Sequence, residues 1–178
     1  MRTKHATAHA ALAALVLAGA AGAARAEGFY AGGSVGGQDW NSSVNGVRGD
    51  SRGVSGKLFG GYELSPHFAV EAGAMHLGRM RDAVGAQASG AGVYLDGVGR
   101  YELAPQWSVL GRFGVTHARF STSRGDDSGN GLKVGAGLQY DQNSKVALLG
   151  EYEYYQFSNA FDSRVRVGQF TAGIKVAF

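Results

Sequence analysis

The charged residues of this chain recur at alternate positions within apolar segments, and this placement limits the chemistry that they could perform. Nine of them share the parity opposite to the apolar side chains: Lys57, Glu71, Asp96, Arg100, Arg112, Lys133, Glu151, Glu153 and Lys175. If that parity faces an enclosed interior, the charges must be paired or hydrated, because an unpaired buried charge is very costly. We therefore expect an internal network of salt bridges and waters. The alternative is a gated narrow pore in which Glu71, Arg112 and Glu151 exchange partners.

The remaining reactive side chains do not form a recognisable catalytic or metal site. The Asp-Asp-Ser sequence at 126–128 lacks the Gly and Glu that a calcium-binding loop requires at fixed spacing. His67 falls in a predicted turn, and His76 and His117 fall on the apolar parity of two different strands. The chain contains no Cys, which excludes disulfides and thiolate ligands. We therefore predict no catalytic residues, no metal and no cofactor.

A β-hairpin is the element that positions these charges. Uncharged residues recur at every second position in 54–62 and again in 68–76, while Lys57 and Glu71 lie on the other parity. Strict alternation of this kind predicts β-strands with one apolar face. Pro66 lies between the two segments and lacks a backbone N–H, so it ends the hydrogen-bonded ladder. The two strands are therefore predicted to be joined by a tight turn.

The hairpin recurs along the chain. The segments GYELSPHFAV (61–70), RYELAPQWSV (100–109) and QYDQNSKVAL (139–148) align with their tyrosines 39 residues apart. A repeat of this length indicates one supersecondary unit that is used several times. A soluble blade repeat is the alternative, but it would bury both faces of most strands and would not need charges on every inward row. The predicted long loops between the hairpins are residues 38–52, 79–90 and 119–131.

The turns also predict which charges face each other. If the aromatic residues that flank the second turn are direct partners, Asp96 lies directly opposite Arg112. The equivalent register at the third turn places Lys133 opposite Glu153. Opposite charges in facing positions stabilise a sheet modestly, so charge and alternation support the same registers.

These hairpins together predict an all-β fold, an eight-stranded antiparallel up-and-down transmembrane β-barrel. Eight strands of roughly 9–11 residues match the length that a tilted strand needs to cross a bilayer. The even strand number and the alternation of short turns with long loops are typical of bacterial outer-membrane barrels. Aromatic residues of the outward parity at the short-turn end would form a girdle at the periplasmic interface: Tyr62, Phe68, Tyr101, Trp107, Tyr140 and Phe178.

Residues 1–26 have the features of a cleaved secretory signal peptide. Basic residues near the start precede a short apolar run at 10–20 and an A-x-A site at 24–26. The apolar run is too short to span a membrane, and a buried N-terminal helix is the alternative. The predicted domains are therefore 1–26 and the barrel, 27–178. Removal of the first segment leaves 14 basic and 14 acidic residues, which argues against a nucleic-acid partner.

The alternating segments also carry a family resemblance. Five stretches resemble the transmembrane domain of OmpA and its small relatives, in order along essentially all of the mature chain: FYAGGSVGG (29–37), FGGYELSP (59–66), HLGRM (76–80), LLGEYEYY (148–155) and GIKVAF (173–178). The resemblance implies a location in the bacterial outer membrane, reached through the periplasm. The terminal Phe178 resembles the signal by which the barrel-assembly machinery recognises its clients, so that machinery is an expected partner during insertion.

The resemblance also has implications for single positions. Glu71 matches the family's acidic residue on the third strand, and Arg112 matches its arginine on the fifth. Gln139 and Leu149 stand where the family has a carboxylate and an arginine, which implies that this salt bridge is missing. Full-length OmpA proteins continue beyond the position of Phe178 into a peptidoglycan-binding domain, and we expect no anchoring to the cell wall by that route.

The resulting functional prediction is a structural or surface-interaction role in adhesion or envelope integrity, with no assigned ligand. Binding usually resides in loops on a rigid scaffold, and the three long loops named above are the large outer surfaces. Basic residues at the rim could pair with the phosphates of lipopolysaccharide, so this lipid and the other outer-membrane lipids are expected partners. A small low-conductance pore is the second hypothesis.

A lipid-modifying enzyme is the third hypothesis. Lipid A deacylases of similar architecture carry His-x-Ser-Asn on a late strand, and residues 156–159 read Gln-Phe-Ser-Asn. Gln156 cannot take a proton from Ser158, so nucleophilic activation fails. We therefore predict that the chain is not an enzyme.

Overall fold

A computed structural model describes residues 28–40, 53–81, 87–122, 125–160 and 163–178 of the chain. These residues form eight strands: β1 (Phe29–Trp40), β2 (Ser55–Ser65), β3 (Phe68–Arg81), β4 (Gln87–Ala104), β5 (Trp107–Thr122), β6 (Gly125–Asp141), β7 (Val146–Ala160) and β8 (Ser163–Ala177). Each strand is antiparallel to the next, and β8 pairs with β1, which closes a barrel. No helix within these ranges is long and apolar enough to cross a membrane. The predicted eight-stranded up-and-down barrel is confirmed, whereas the predicted signal peptide lies outside the described residues.

The alternation that predicted the strands also sorts their side chains between the two faces of the barrel. On β5, buried and exposed side chains alternate without a break from residue 107 to residue 121. Successive side chains of a strand point to opposite faces, so Val109 and Phe113 lie outside, whereas Leu110 and Arg112 lie inside. The outer face is therefore apolar and the middle of the interior is largely polar.

The strands are longer than the sequence predicted. Instead of roughly 9–11 residues, β4, β5 and β6 have 18, 16 and 17. Of the segment 119–131, predicted as a long loop, residues 119–122 and 125–131 form the paired ends of β5 and β6, from Arg119 opposite Ser128 to Thr122 opposite Gly125. Its Gly, Ser and Asp residues favoured a loop, but the ladder is made by backbone groups and needs no apolar side chains. The loop prediction was wrong for these described residues, and 123–124 lie outside the described ranges.

The other two predicted long loops are also shortened by strands. β1 and β3 continue past the predicted starts of the loops at 38–52 and 79–90, and β4 begins before the second loop was expected to end. Of these segments, 41–52 and 82–86 lie outside the described residues.

The two predicted charge pairs do not occupy directly facing positions. Asp96 faces Gly114 on β5 instead of Arg112. Lys133 faces Tyr155 on β7 instead of Glu153. Both register predictions were therefore wrong by two residues.

The tight turn explains the displacement between β4 and β5. β4 and β5 are joined through Pro105 and Gln106, and Gln106 adopts a φ of 72° directly after a bulge in the ladder. As a result, Tyr101 faces Val109 rather than Trp107. A displacement by two residues keeps every side chain on its own face of the sheet. The charges therefore stay inside the barrel and meet diagonally.

Candidate functional site

Seven of the nine predicted inward charges form a cluster at the middle of the barrel interior. They come from six consecutive strands, β2 to β7, and each is at most 5% exposed: Lys57, Glu71, Asp96, Arg112, Lys133, Glu151 and Glu153. Alternation turns each of these side chains inward, and closure of the barrel brings together residues as far apart in sequence as Lys57 and Glu153. We call this group the charged cluster.

Arg112 bridges two carboxylates that come from opposite walls of the barrel. Its Nη1 lies 2.6 Å from Oε1 of Glu71, and its Nε lies 2.5 Å from Oε1 of Glu151. Charge-assisted hydrogen bonds of this length are strong and orient both partners. An exchange of partners, as the gated-pore hypothesis requires, would have to release a carboxylate that Arg112 already holds.

Two lysines extend the chain of ion pairs from Glu151 across the interior. Nζ of Lys57 lies 2.8 Å from Glu151 Oε2 and 2.7 Å from Glu153 Oε1. Nζ of Lys133 lies 2.9 Å from the same oxygen of Glu153 and 2.6 Å from Oδ2 of Asp96. Acids and bases therefore alternate in one unbroken path through the charged cluster.

Tyrosine hydroxyls supply further donors to the four carboxylates, which face only three cations in the cluster. Glu71 accepts hydrogen bonds from the hydroxyls of Tyr94 at 2.9 Å and Tyr30 at 3.3 Å. Glu153 accepts one from Tyr155 at 2.8 Å. Sequence reasoning missed these residues because a neutral hydroxyl does not stand out in a charge pattern. Their inward parity was the signal that could have identified them.

The other two predicted charges form separate pairs near the tight-turn end of the barrel. Arg100 Nη2 lies 2.7 Å from Asp141 Oδ2, and Lys175 Nζ lies 3.2 Å from Glu63 Oε1. Both pairs are partly exposed and line an open cavity of about 510 Å³. Sequence reasoning missed Asp141 and Glu63 because they are the last inward residues before turns. This end of the interior is therefore accessible to water.

An apolar layer fills the interior at the opposite end, away from the tight turns. Its members belong to one packed cluster, and each is at most 1% exposed: Leu77, Ala88, Ala118, Phe120, Phe157, Val165 and Val167. The rings of Phe120 and Phe157 pack edge to face with centroids 4.8 Å apart. Sequence reasoning missed this layer because Ala88 and Phe120 fell within predicted loops. An ion that entered at the turn end would meet the charged cluster and then this layer.

The six predicted girdle residues lie at the tight-turn end, and none of them is buried. The rings of Trp107 and Tyr140 pack with centroids 5.0 Å apart. Phe29, which was not predicted, packs against Tyr62 at 4.7 Å. The backbone N–H of Phe178 donates to the carbonyl of Phe29 at 3.0 Å, which ties the last residue to β1. The assignment of this end to the periplasm stays a prediction.

The two positions at which the family's salt bridge is missing face each other across β6 and β7. Gln139 and Leu149 are direct cross-strand partners, and both are buried. Nε2 of Gln139 donates to Asp141 Oδ1 at 2.6 Å, so it belongs to the polar group near the turns. Within the described ranges, no group of three or more His, Cys, Asp or Glu side chains could hold a metal ion.

Comparisons with solved structures agree with this architecture. Neisserial surface protein A is 18% identical, with a TM-score of 0.71, over 85% of this chain and 98% of that chain. Ail, the attachment invasion locus protein of Yersinia pestis, is 24% identical, with a TM-score of 0.55, over 85% of this chain and 99% of that chain. The N-terminal β-barrel domain of Pseudomonas aeruginosa OprF is 12% identical, with a TM-score of 0.60, over 85% and 98%. At these identities the likeness is one of fold.

A family model described as an outer membrane protein beta-barrel domain matches residues 10–178. A comparison with curated protein sequences gives no significant match. The family and the structural neighbours are bacterial outer-membrane proteins, and the resemblance to small OmpA-like barrels is confirmed. The chain therefore belongs to the outer membrane protein β-barrel domain family.

Proposed function

We propose that this chain is an outer-membrane barrel with a structural or surface-interaction role, and that it neither conducts ions nor catalyses a reaction. The observation that carries this proposal is the filling of its interior. A continuous path of ion pairs crosses the middle of the barrel, and an apolar layer packs beyond it. The surfaces left for interactions are therefore the outer face and the strand ends that project from the bilayer.

The outer face supports a membrane position for residues 107–115 of β5, the part next to the tight turn. Outward side chains from Trp107 to Val115 are aromatic, aliphatic or Gly. Nine residues at about 3.4 Å each, tilted by about 40°, cover roughly 23 Å of membrane thickness. The outward residues that follow on the same strand, His117, Arg119 and Ser121, are polar and exposed. The change from apolar to polar gives the expected edge of the bilayer.

The paired ends of β5 and β6 extend beyond this edge and form a projecting hairpin. The ladder continues there from Arg119 opposite Ser128 to the last pair, Thr122 opposite Gly125. Such an extension on a rigid barrel is a suitable scaffold for contacts with other molecules. Ail, which shares this fold, is named for attachment and invasion. That likeness motivates an adhesion test of this chain.

Replacement of residues 121–126 by an Asn-Gly turn tests the surface-interaction role. The shortened hairpin keeps the Phe120–Asp127 pair and closes it with a two-residue turn of a favoured type. Bacteria that display either chain are compared for adhesion to an epithelial monolayer, with heat-dependent gel mobility as the control for folding. We expect adhesion to fall to the level of bacteria without the chain. Undiminished adhesion of the folded variant, or no adhesion with either chain, would contradict this role.

The pore hypothesis has a direct test in planar bilayers. We expect purified protein to give no resolvable conductance, because both filled layers would have to move to open a path. Reproducible unitary conductance of the unmodified chain would overturn the closed interior and favour the pore.

The structure also supports the prediction of no lipid-hydrolysing activity. Asn130 is the direct partner of both Ser158 and His117, so two strand spacings, about 10 Å, separate the backbones of Ser158 and His117. His67 is exposed in a turn at the other end of the barrel. Incubation with lipid A should therefore release no fatty acid, and measurable release would refute this part of the proposal.

A further inference from the structure

The outward face of β4, β5 and β6 contains an open groove with a volume of about 630 Å³. Four of its lining residues, Val93, Leu95, Val115 and Leu132, have aliphatic side chains that are about half exposed on the apolar parity. Gly131 also lines the groove. A concave apolar surface of this kind, next to a few polar groups, is typical of a small-molecule site. On a bilayer-facing surface it would accommodate an acyl chain.

A row of three polar side chains closes the groove at its end away from the tight turns. His117, Asn130 and Ser158 are successive direct partners on β5, β6 and β7, and all three are exposed. Nδ1 of His117 lies 2.7 Å from Oδ1 of Asn130. Between the tight turns and this row, the outward residues of β5 and β6 carry no charge and no amide group. His117 on β5 and Asn130 on β6 come directly after these runs. We call them the polar row.

The hydrogen bond within the polar row determines what each side chain offers to a ligand. Oδ1 of Asn130 can only accept, so Nδ1 of His117 is the donor and carries the proton. In the neutral imidazole, Nε2 is then an acceptor, while the amide of Asn130 and the hydroxyl of Ser158 can donate. The row therefore fits a ligand that has both an N–H or O–H donor and a carbonyl. An amide-linked hydroxyacyl group has both, whereas a simple ester has acceptors only.

Arg119 places a positive charge directly beyond the polar row. It lies two residues after His117 on β5, about 7 Å further toward the projecting hairpin and on the same exposed face. A guanidinium group binds phosphate oxygens in a bidentate manner. Along one column the surface thus offers an apolar groove, a row of donors and acceptors, and a cation.

We propose that this column is a binding site for a phosphorylated glycolipid with amide-linked hydroxyacyl chains, the chemistry of lipid A. An acyl chain lies in the groove, the amide or hydroxyl group meets the polar row, and a phosphate meets Arg119. The order of these groups in the lipid is the order of their partners along the barrel. The site rests on the proposed function, because it requires the outer face to lie in a membrane with Arg119 at the headgroup level.

Native mass spectrometry of the purified barrel tests this site with lipid A as the probe. We expect the unmodified chain to retain one lipid A molecule in preference to phosphatidylglycerol. His117→Leu and Asn130→Leu should each weaken lipid A binding about five- to tenfold, since each removes hydrogen bonds to the lipid. Arg119→Gln should weaken binding of lipid A but not of its dephosphorylated form.

Two matched variants control for general effects on the outer face. His76→Leu and Arg79→Gln change the same residue types at exposed positions on β3, outside the groove, and should leave binding unchanged. Equal retention of lipid A and phosphatidylglycerol, or equal effects of the β3 and β5 variants, would overturn the site. Heat-dependent gel mobility is measured on every sample. Its loss in the unmodified chain would contradict the barrel itself, whereas normal mobility with unselective lipid binding would contradict the site alone.

Discussion

At the scale of the residue, the stability of the interior depends on short contacts between groups that would be costly if left alone. Arg112 is the central example, because it holds Glu71 and Glu151 at the same time. Removal of one member of a buried ion pair leaves an uncompensated charge, whereas an exposed pair is replaced by water at little cost. The charged cluster and the turn-end pairs should therefore respond differently to substitution.

Arg112→Leu should lower the free energy of unfolding by about 3–5 kcal/mol, because it leaves two buried carboxylates without their shared cation. Arg100→Gln is the matched control. It breaks the Arg100–Asp141 pair, whose side chains are 30% and 26% exposed, and should cost less than about 1 kcal/mol. Urea unfolding of both variants in lipid vesicles, followed by tryptophan fluorescence, measures the difference. Equal losses would show that the charged cluster is as hydrated as the Arg100–Asp141 pair at the tight-turn end.

Tyr94→Phe removes one hydroxyl from the charged cluster and keeps the aromatic ring 3.7 Å from Nζ of Lys133. Since Glu71 loses a buried donor, the free energy of unfolding should fall by about 1–3 kcal/mol. Tyr101→Phe, on the exposed outer face, should change it by less than about 0.5 kcal/mol. The same urea series compares the two, and a neutral Tyr94→Phe would mean that its hydroxyl does not support Glu71.

At the scale of the element, the tight turns set the registers and thereby decide which residues share a level in the interior. The turn through Gln106 places Gly114, which has no side chain, directly opposite Asp96. A Cβ added at Gly114 would collide with the carboxylate of Asp96 and with the carbonyl of Leu95. The space beside this glycine is thus part of what the carboxylate needs in order to reach Lys133.

Gly114→Ala should lower the free energy of unfolding by about 1–3 kcal/mol, because the added methyl group forces a shift in a packed interior. Gly111→Ala, on the outer face of the same strand, meets nothing within 4 Å and should cause no loss. Denaturant midpoints of the two variants provide the comparison. If Gly114→Ala were as stable as Gly111→Ala, the register of β4 and β5 would have to differ from the one described.

Sequence reasoning succeeded where the physical signal repeats and failed where it is local. Alternation is redundant over many residues, so it places Lys57, Arg112 and Glu153 inside without any knowledge of the turns. The register of β4 and β5 depends on a single left-handed residue and one bulge, and neither is visible in the Pro105–Gln106 sequence. The polar composition around Phe120 also led to a wrong loop prediction. The backbone of this polar segment pairs in the sheet, and the ring of Phe120 is buried in the interior.

At the scale of the whole molecule, the barrel is an inside-out protein with an apolar surface and a polar centre. Each of the eight strands carries exposed aliphatic or aromatic side chains on its outer face. In water such a surface would favour aggregation, whereas in a bilayer it is the expected outer layer of a closed barrel. Function, stability and the proposed lipid site all depend on this sidedness.

The most direct test of this sidedness uses two neighbouring residues of the same type. Leu148 is 44% exposed on the outer face, and Leu149 is 4% exposed on the inner face. Because the chain has no native Cys, Leu148→Cys and Leu149→Cys each give one site for a spin label in lipid vesicles. We predict that the label at 148 collides freely with lipid-dissolved oxygen and that the label at 149 is shielded. Equal collision rates, or a higher rate at 149, would contradict the inside-out barrel.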